Sequence, residues 1–265
     1  MVKDNNKIYF TMRFAAAMCF IGHGAFGIIT KPIWCNYFGV VGIDTVTSYK
    51  LMPIVGTMDI VMGISLLFYP TKAAAWWLVI WGFATAMMRP LSGEPFAELI
   101  ERAGNFGVPL ALLLFCGDGA LRPGYWLGKL TPPKQMDAET LIKVKKCLMI
   151  VVFLLLAGHG WLNVIEKKGL LGQYARIGFS NPAQIAHITG IFEIAAALMV
   201  LIRPLAPVLL ILLFWKMGTE LFYPQWELFE WVERGGSYGA ILALWFILPP
   251  SAVFKSKQNF EKMFA

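Results

Sequence analysis

The chain has 265 residues, 58% of them hydrophobic and 15% charged, with a mean hydropathy of +0.62. A soluble domain carries roughly 25% charged residues, so this composition excludes an ordinary soluble protein and points to a bilayer. The net charge is +7, but the basic residues gather in turns on one side of the predicted helices, a topology signal and not a nucleic-acid face.

Eight apolar segments are predicted, at 9–30, 51–69, 73–90, 104–117, 142–165, 184–202, 205–223 and 236–250. Most reach the length of about 20 residues that a helix needs to cross the hydrocarbon; the fourth and eighth are short. The first run, from Tyr9 through His23, has no small-residue cleavage site behind it and reads as a retained helix. Pro70-Thr71-Lys72 and Arg203-Pro204 mark abrupt hairpins, because proline lacks an N–H and clashes with the preceding turn. The stretch 117–140, with Pro123, Pro132 and Pro133, reads as a linker.

The segments fall into two sets of four. Gly22-His23-Gly24 recurs as Gly158-His159-Gly160, each followed eight residues past the histidine by a lysine, Lys31 or Lys167. Gly56 and Asp59 find Gly190 and Glu193; Trp81, Thr85 and Pro90 find Trp215, Thr219 and Pro224 at the same spacing. Glu101-Arg102-Ala103-Gly104 matches Glu233-Arg234-Gly235-Gly236. A spacing that drifts by only a few residues over this length predicts a duplicated module. The expected fold is an all-α integral membrane protein with eight transmembrane helices as two parallel, same-orientation four-helix repeats. The first module is 1–117, the cytoplasmic linker 118–140, and the second module with a cytoplasmic tail 141–265. The amino terminus, the 70–72 turn, the linker region to 146, Arg203 and the carboxyl tail hold fourteen of the 23 Lys and Arg residues. Both termini are therefore expected in the cytoplasm.

His23 is expected roughly 10 Å below the outer boundary and Asp59, on a helix descending from that side, roughly 12 Å below it. His159 and Glu193 repeat the relation, and His187 and Glu220 are placed in the same outer half. Ionisable groups at such depth cost about 2.5–3.5 kcal/mol on insertion scales, so they face the bundle interior and find partners. His23, Asp59, His159, His187, Glu193 and Glu220 are the candidate cofactor-binding residues. One account is structural, each imidazole bonding the neighbouring acid and holding two helices together. A second is a quinone head group whose proton the pair shuttles, since histidine titrates near neutrality. A third is haem held between His23 and His159, the flanking glycines leaving room for a porphyrin face. No ligand spacing supports a metal site. The tandem repeat with buried acids also suits passage of a small solute, and a structural or assembly subunit is the remaining class.

Glu101-Arg102 and Glu233-Arg234 read as starts of the fourth helix of each module, acid favoured by the dipole. Glu94, Glu98, Glu227 and Glu230 make the outer rim acidic. The aromatic residues of 31–50 and 166–183, among them Trp34, Tyr37, Tyr174 and Phe179, read as interfacial anchors in loops. Cys19, Cys35, Cys116 and Cys147 form no CxxC pair and read as small core residues, Cys35 alone being placed for redox exposure.

Arg13, His23-Gly24 and Lys31 in the first helix, a second helix with Gly190 and Glu193, and the acidic-Arg-x-Gly motif at Glu233-Arg234-Gly235-Gly236 together resemble the DoxX family of four-helix membrane proteins. The likeness covers about 220 residues as two tandem modules, where an ordinary member has one, and Asp59 departs from the family glutamate. It implies a bacterial or archaeal inner-membrane protein, a subunit of a quinone-linked oxidoreductase that works with a partner protein.

Overall fold

A computed structural model describes residues 5–122, 124–221 and 228–248. Lys3, Pro123, the stretch with Pro224 and Glu227, and the carboxyl tail lie outside the described residues. Among the described residues there are thirteen helices and no strand, only an isolated bridge between Thr71 and Lys129. The first half runs α1 (Asn5–Ile28), α2 (Trp34–Val40), α3 (Thr45–Phe68), α4 (Lys72–Leu91), α5 (Ala97–Glu101) and α6 (Ala103–Phe115). A single turn, α7 (Asp118–Leu121), precedes the second half. That half runs α8 (Ala138–Val164), α9 (Lys168–Arg176), α10 (Pro182–Ile202), α11 (Ala206–Leu221), α12 (Leu228–Glu233) and α13 (Gly235–Ile247).

Side-chain caps start several of these helices. Asp44 accepts from Thr47 N at 3.0 Å, Asp137 from Thr140 N at 2.8 Å, and Thr71 from Ala74 N at 3.1 Å. Each satisfies a donor that the first turn cannot.

By length and composition, α3 and α10 can each cross a membrane, and α8 with α9 qualifies if that pair, bent by 81°, is one span. The eight spans expected above are therefore met in part. Three of the eight helices are short: α11 has 16 residues, and the fourth segment of each half, expected to be short, is a 13-residue helix that opens just past the Glu-Arg motif, with Arg102 and Arg234 at the break from the short helix before it, φ −90° and −74°. A 13-residue helix is only about 20 Å long, against a hydrocarbon core of about 30 Å. The stretches 31–50 and 166–183, expected as loops, also fold in part into α2 and α9.

Small residues set the helix packing. A Cβ added at Gly27 would lie 2.7 Å from Gly56 Cα, and one at Gly160 would lie 2.8 Å from Gly190 O. In each half the long first helix meets the next long helix backbone to backbone, as in small-residue interfaces in lipid. Across the halves, Gly22 of α1 packs on the backbone of Glu233, and Gly158 of α8 packs on that of Glu101. Gly104 and Gly236 meet each other. Each long helix thus docks on the short helix of the opposite half. Around this contact Val108, Leu112, Leu148, Val152, Ile241 and Leu244 are fully buried. The outward faces of α3, α4, α10 and α11 carry exposed Ile54, Phe68, Ile80, Ile191, Ile202 and Phe214, a quantity of exposed apolar surface that lipid covers and water does not.

The connection between the halves is laced to the first of them. Lys72 is buried and donates to Gly119 O and Gly124 O, both at 3.1 Å, while Leu130 N donates to Pro70 O at 2.8 Å and Tyr9 bonds Leu130 O. Arg13 is also buried, its Nε 2.9 Å from Leu66 O at the end of α3. Two of the basic residues counted toward topology therefore satisfy the free carbonyls of turns and helix ends.

Candidate functional site

The histidine of α1 and the acid of α3 are brought together by the glycine contact described above. His23 Nδ1 lies 2.7 Å from Asp59 Oδ2, with Asp59 fully buried. Trp34 of α2 covers the imidazole, ring centroids 4.7 Å apart. Beside them is a cavity of about 210 Å³ whose walls include His23, Trp34, Tyr37, Phe38 and Trp81. Arg89, Arg102, Asn105 and Glu233 reach its rim. Tyr37 donates its hydroxyl to Glu94 at 2.6 Å. Burial raises the Tyr37 phenol above its usual range, Arg89 opposing this and Glu94 adding to it.

The second half repeats the arrangement with more partners. His159 Nδ1 bonds Glu193 Oε2; the other oxygen, Oε1, accepts from Trp215 Nε1 at 3.1 Å and has Lys216 Nζ at 3.8 Å. Tyr174 donates to Asn163 Oδ1 at 2.7 Å, and Asn163 donates to His159 O at 3.0 Å. Beside the pair is a cavity of about 300 Å³ whose lining includes His159, Tyr174, Thr189, Glu193, Trp215 and Glu220.

The first half does not match it. Asp59 Oδ1 and Trp81 Nε1, at the positions of Glu193 Oε1 and Trp215 Nε1, are buried and have no hydrogen-bond partner. An aspartate is one methylene shorter than a glutamate. The indole that one carboxylate reaches, the other does not. Where the first half has Gly82 and Ala86, the second has Lys216 and Glu220, an ion pair at 2.9 Å buried in the last turns of α11.

Between the two cavities lies a band of buried charge. Arg234 contacts Glu101 at 2.9 Å and Glu220 at 3.6 Å; Arg102 holds Glu98 at 2.5 Å and Glu101 at 2.9 Å. Arg89 contacts Glu94 at 3.2 Å and Glu98 at 3.4 Å. Lys167 reaches Glu98 from the second half, and Lys31 reaches Glu230 from the first. The two loop lysines are thus exchanged. Burial pushes the Glu98 carboxyl up, but Arg102, aided by Lys167 and Arg89, outweighs it and holds the group below the ordinary 4.5. Glu230, in the corresponding place, goes the other way: burial and the Glu233 charge raise it and Lys31 only partly offsets them.

Of the six residues expected at the site, His23 with Asp59 and His159 with Glu193 form the two pairs, and Glu220 borders the second cavity. His187 stands apart. It is half exposed on α10, 3.3 Å from Glu166 and 3.2 Å from Val164 O, on neither cavity wall. Sequence reasoning passed over Lys216, although a lysine four residues before a glutamate inside an apolar run marks a buried ion pair. It also placed the Glu-Arg motifs at helix starts without their partners in the other half.

Comparison of the chain with protein-family models, with curated proteins and with solved structures finds no match.

Proposed function

We propose that the chain is a bacterial or archaeal inner-membrane protein of eight spans, two fused four-helix modules in parallel orientation with both termini cytoplasmic. We further propose that it is the quinone-interacting subunit of a membrane redox system. The observation that carries this reading is an imidazole with its Nδ1 fixed by a buried carboxylate at the edge of an aromatic-walled cavity, formed in both halves. The first cavity fits a planar head group. Its volume is that of one or two fused rings, and its walls are aromatic. A bound quinone supplies two-electron, two-proton chemistry. His23 and His159 would hold or release a proton through the ring nitrogen that the carboxylate leaves free, and Asp59 and Glu193 would fix the tautomer and orientation. Trp34 and Tyr37 would exclude water from the ring. Electrons would come from a partner subunit, in keeping with the resemblance to DoxX proteins. Because His23 and His159 border different cavities, the geometry favours separate head-group sites over one haem shared between them.

The test is purification with native lipid, extraction of bound quinone, and electron transfer in His23→Ala and His159→Ala. Bound quinone and a loss of transfer of at least tenfold are expected. Absence of quinone with unchanged transfer overturns the reading, and a Soret band would replace it by haem. A second reading has its own support: the imidazole–carboxylate bonds join α1 to α3 and α8 to α10, which suits a structural subunit that assembles a larger complex. There the histidine variants would lower stability and leave transfer intact.

A further inference from the structure

The two halves place a histidine, a carboxylate and a tryptophan at corresponding positions, so each serves as a control for the other. In the second half the carboxylate beside the histidine is matched on both oxygens: Glu193 takes His159 on one and Trp215 on the other, and the unpartnered oxygen on that cavity wall belongs to Glu220, which has Lys216 at 2.9 Å. In the first half His23 takes one oxygen of Asp59, while Asp59 Oδ1 and Trp81 Nε1 are left buried and bare. An unmatched buried polar group costs about 1–3 kcal/mol, more when charged. The two side chains correspond to a pair that is bonded in the second half, and Trp81 and the His23 that bonds Asp59 both line the first cavity, so a ligand atom in reach of both would satisfy them.

The chemistry of that atom is restricted. The shorter side chain withdraws the carboxylate from the indole by one carbon–carbon bond, about 1.5 Å, which makes room for a single oxygen. That oxygen must donate to a carboxylate and accept from an indole N–H. A carbonyl or an ether oxygen can accept but has nothing to give Asp59. A hydroxyl does both. The rest of the ligand must occupy a cavity whose walls are Trp34, Tyr37, Phe38 and Trp81, and aromatic faces of this kind select a flat ring.

We propose that the first-half cavity is a binding site for a flat aromatic ligand bearing a hydroxyl group, which donates to Asp59 and accepts from Trp81, and that the second half has no equivalent site. The inference rests on the cavity of the proposed function but not on its redox role. Asp59 is the specificity-determining residue. In the second half Glu193 bonds Trp215 directly at 3.1 Å, so no bridging oxygen fits between them, although a cavity of about 300 Å³ lies alongside.

The matched probes are 2-naphthol and 2-methoxynaphthalene, the same ring with and without the O–H. They are measured by equilibrium binding to the full chain in nanodiscs, with empty nanodiscs to correct for partition. The expected result is one saturable naphthol site per chain, bound at least tenfold more tightly than the methyl ether, ~1.4 kcal/mol. In Asp59→Glu the carboxylate reaches Trp81 directly and the preference falls below threefold. Trp81→Phe keeps the ring and removes only the N–H; it weakens naphthol several-fold and remains informative if the first variant does not fold. Equal affinity of the two probes for the unaltered chain means that water alone bridges the pair, and overturns the inference, as does binding unchanged in Trp81→Phe. A probe preference without extractable quinone removes the redox proposal and leaves this one standing. Quinone in the extract with no probe preference does the reverse.

Discussion

At the scale of single residues, the buried charges set both stability and its pH dependence. Glu98 is fully buried against Arg102, Arg89 and Lys167. Its folded carboxyl titrates below the ordinary 4.5, so the network adds stability above that pH and loses it as acid carries the medium down through the folded value. Thermal unfolding in detergent is therefore expected to move to lower temperature below about pH 4.5. In Glu98→Gln that acid dependence flattens, while stability at neutral pH drops by about 3 kcal/mol, because Lys167 loses its carboxylate and Arg102 and Arg89 each lose one of two. Lys216 offers a sharper case. Lys216→Met takes from buried Glu220 its nearer cation, leaving Arg234 at 3.6 Å, and should cost about 3 kcal/mol. Adding Glu220→Gln to it should recover part of that loss. A double-mutant cycle read by thermal unfolding checks this, and strict additivity would show that the 2.9 Å pair contributes no coupling.

At the scale of elements, glycine contacts decide which helices touch. Gly27 and Gly56 leave no room for a side chain between α1 and α3, so Gly56→Leu should separate them, lower unfolding stability by about 2 kcal/mol or more, and lengthen the His23–Asp59 bond. Gly39, on α2, has open space around it; Gly39→Ala should be neutral or slightly stabilising. Similar losses in both variants, measured by unfolding in the same detergent, would mean that helix propensity and not close approach governs the first. The histidine–acid pairs were legible in the sequence, since their depth follows from position along two adjacent apolar runs. The short helices were not. Hydropathy reports the side-chain average over a window, and α2, α5, α9 and α12 span five to nine residues each, too few to register against their aromatic and charged neighbours. The same limit explains Lys216, a single cation submerged in the mean of α11.

At the scale of the whole molecule, three ion pairs of the charged band join the two halves. Lys31 reaches Glu230 and Lys167 reaches Glu98, and Arg234 reaches Glu101. The sequence displays every one of these residues twice yet says nothing of the exchange, because periodicity reports neighbours within an element and not partners on another one. A chain divided in the linker should therefore still assemble. Fragments 1–122 and 124–265 expressed together are expected to co-purify as a stable pair. Either alone should be degraded or aggregate, since its acids would face the bilayer without their lysines. Independent stability of the two fragments would argue that the interface is incidental.

The break ahead of α6 and α13 has a consequence for the middle of the protein. Both helices are about 20 Å long and buried along most of their length, so lipid does not meet the depth they leave short. That depth is taken by α5 and α12, which carry Glu98, Glu101, Glu230 and Glu233 into the interior, a polar plug that a longer apolar helix would have excluded.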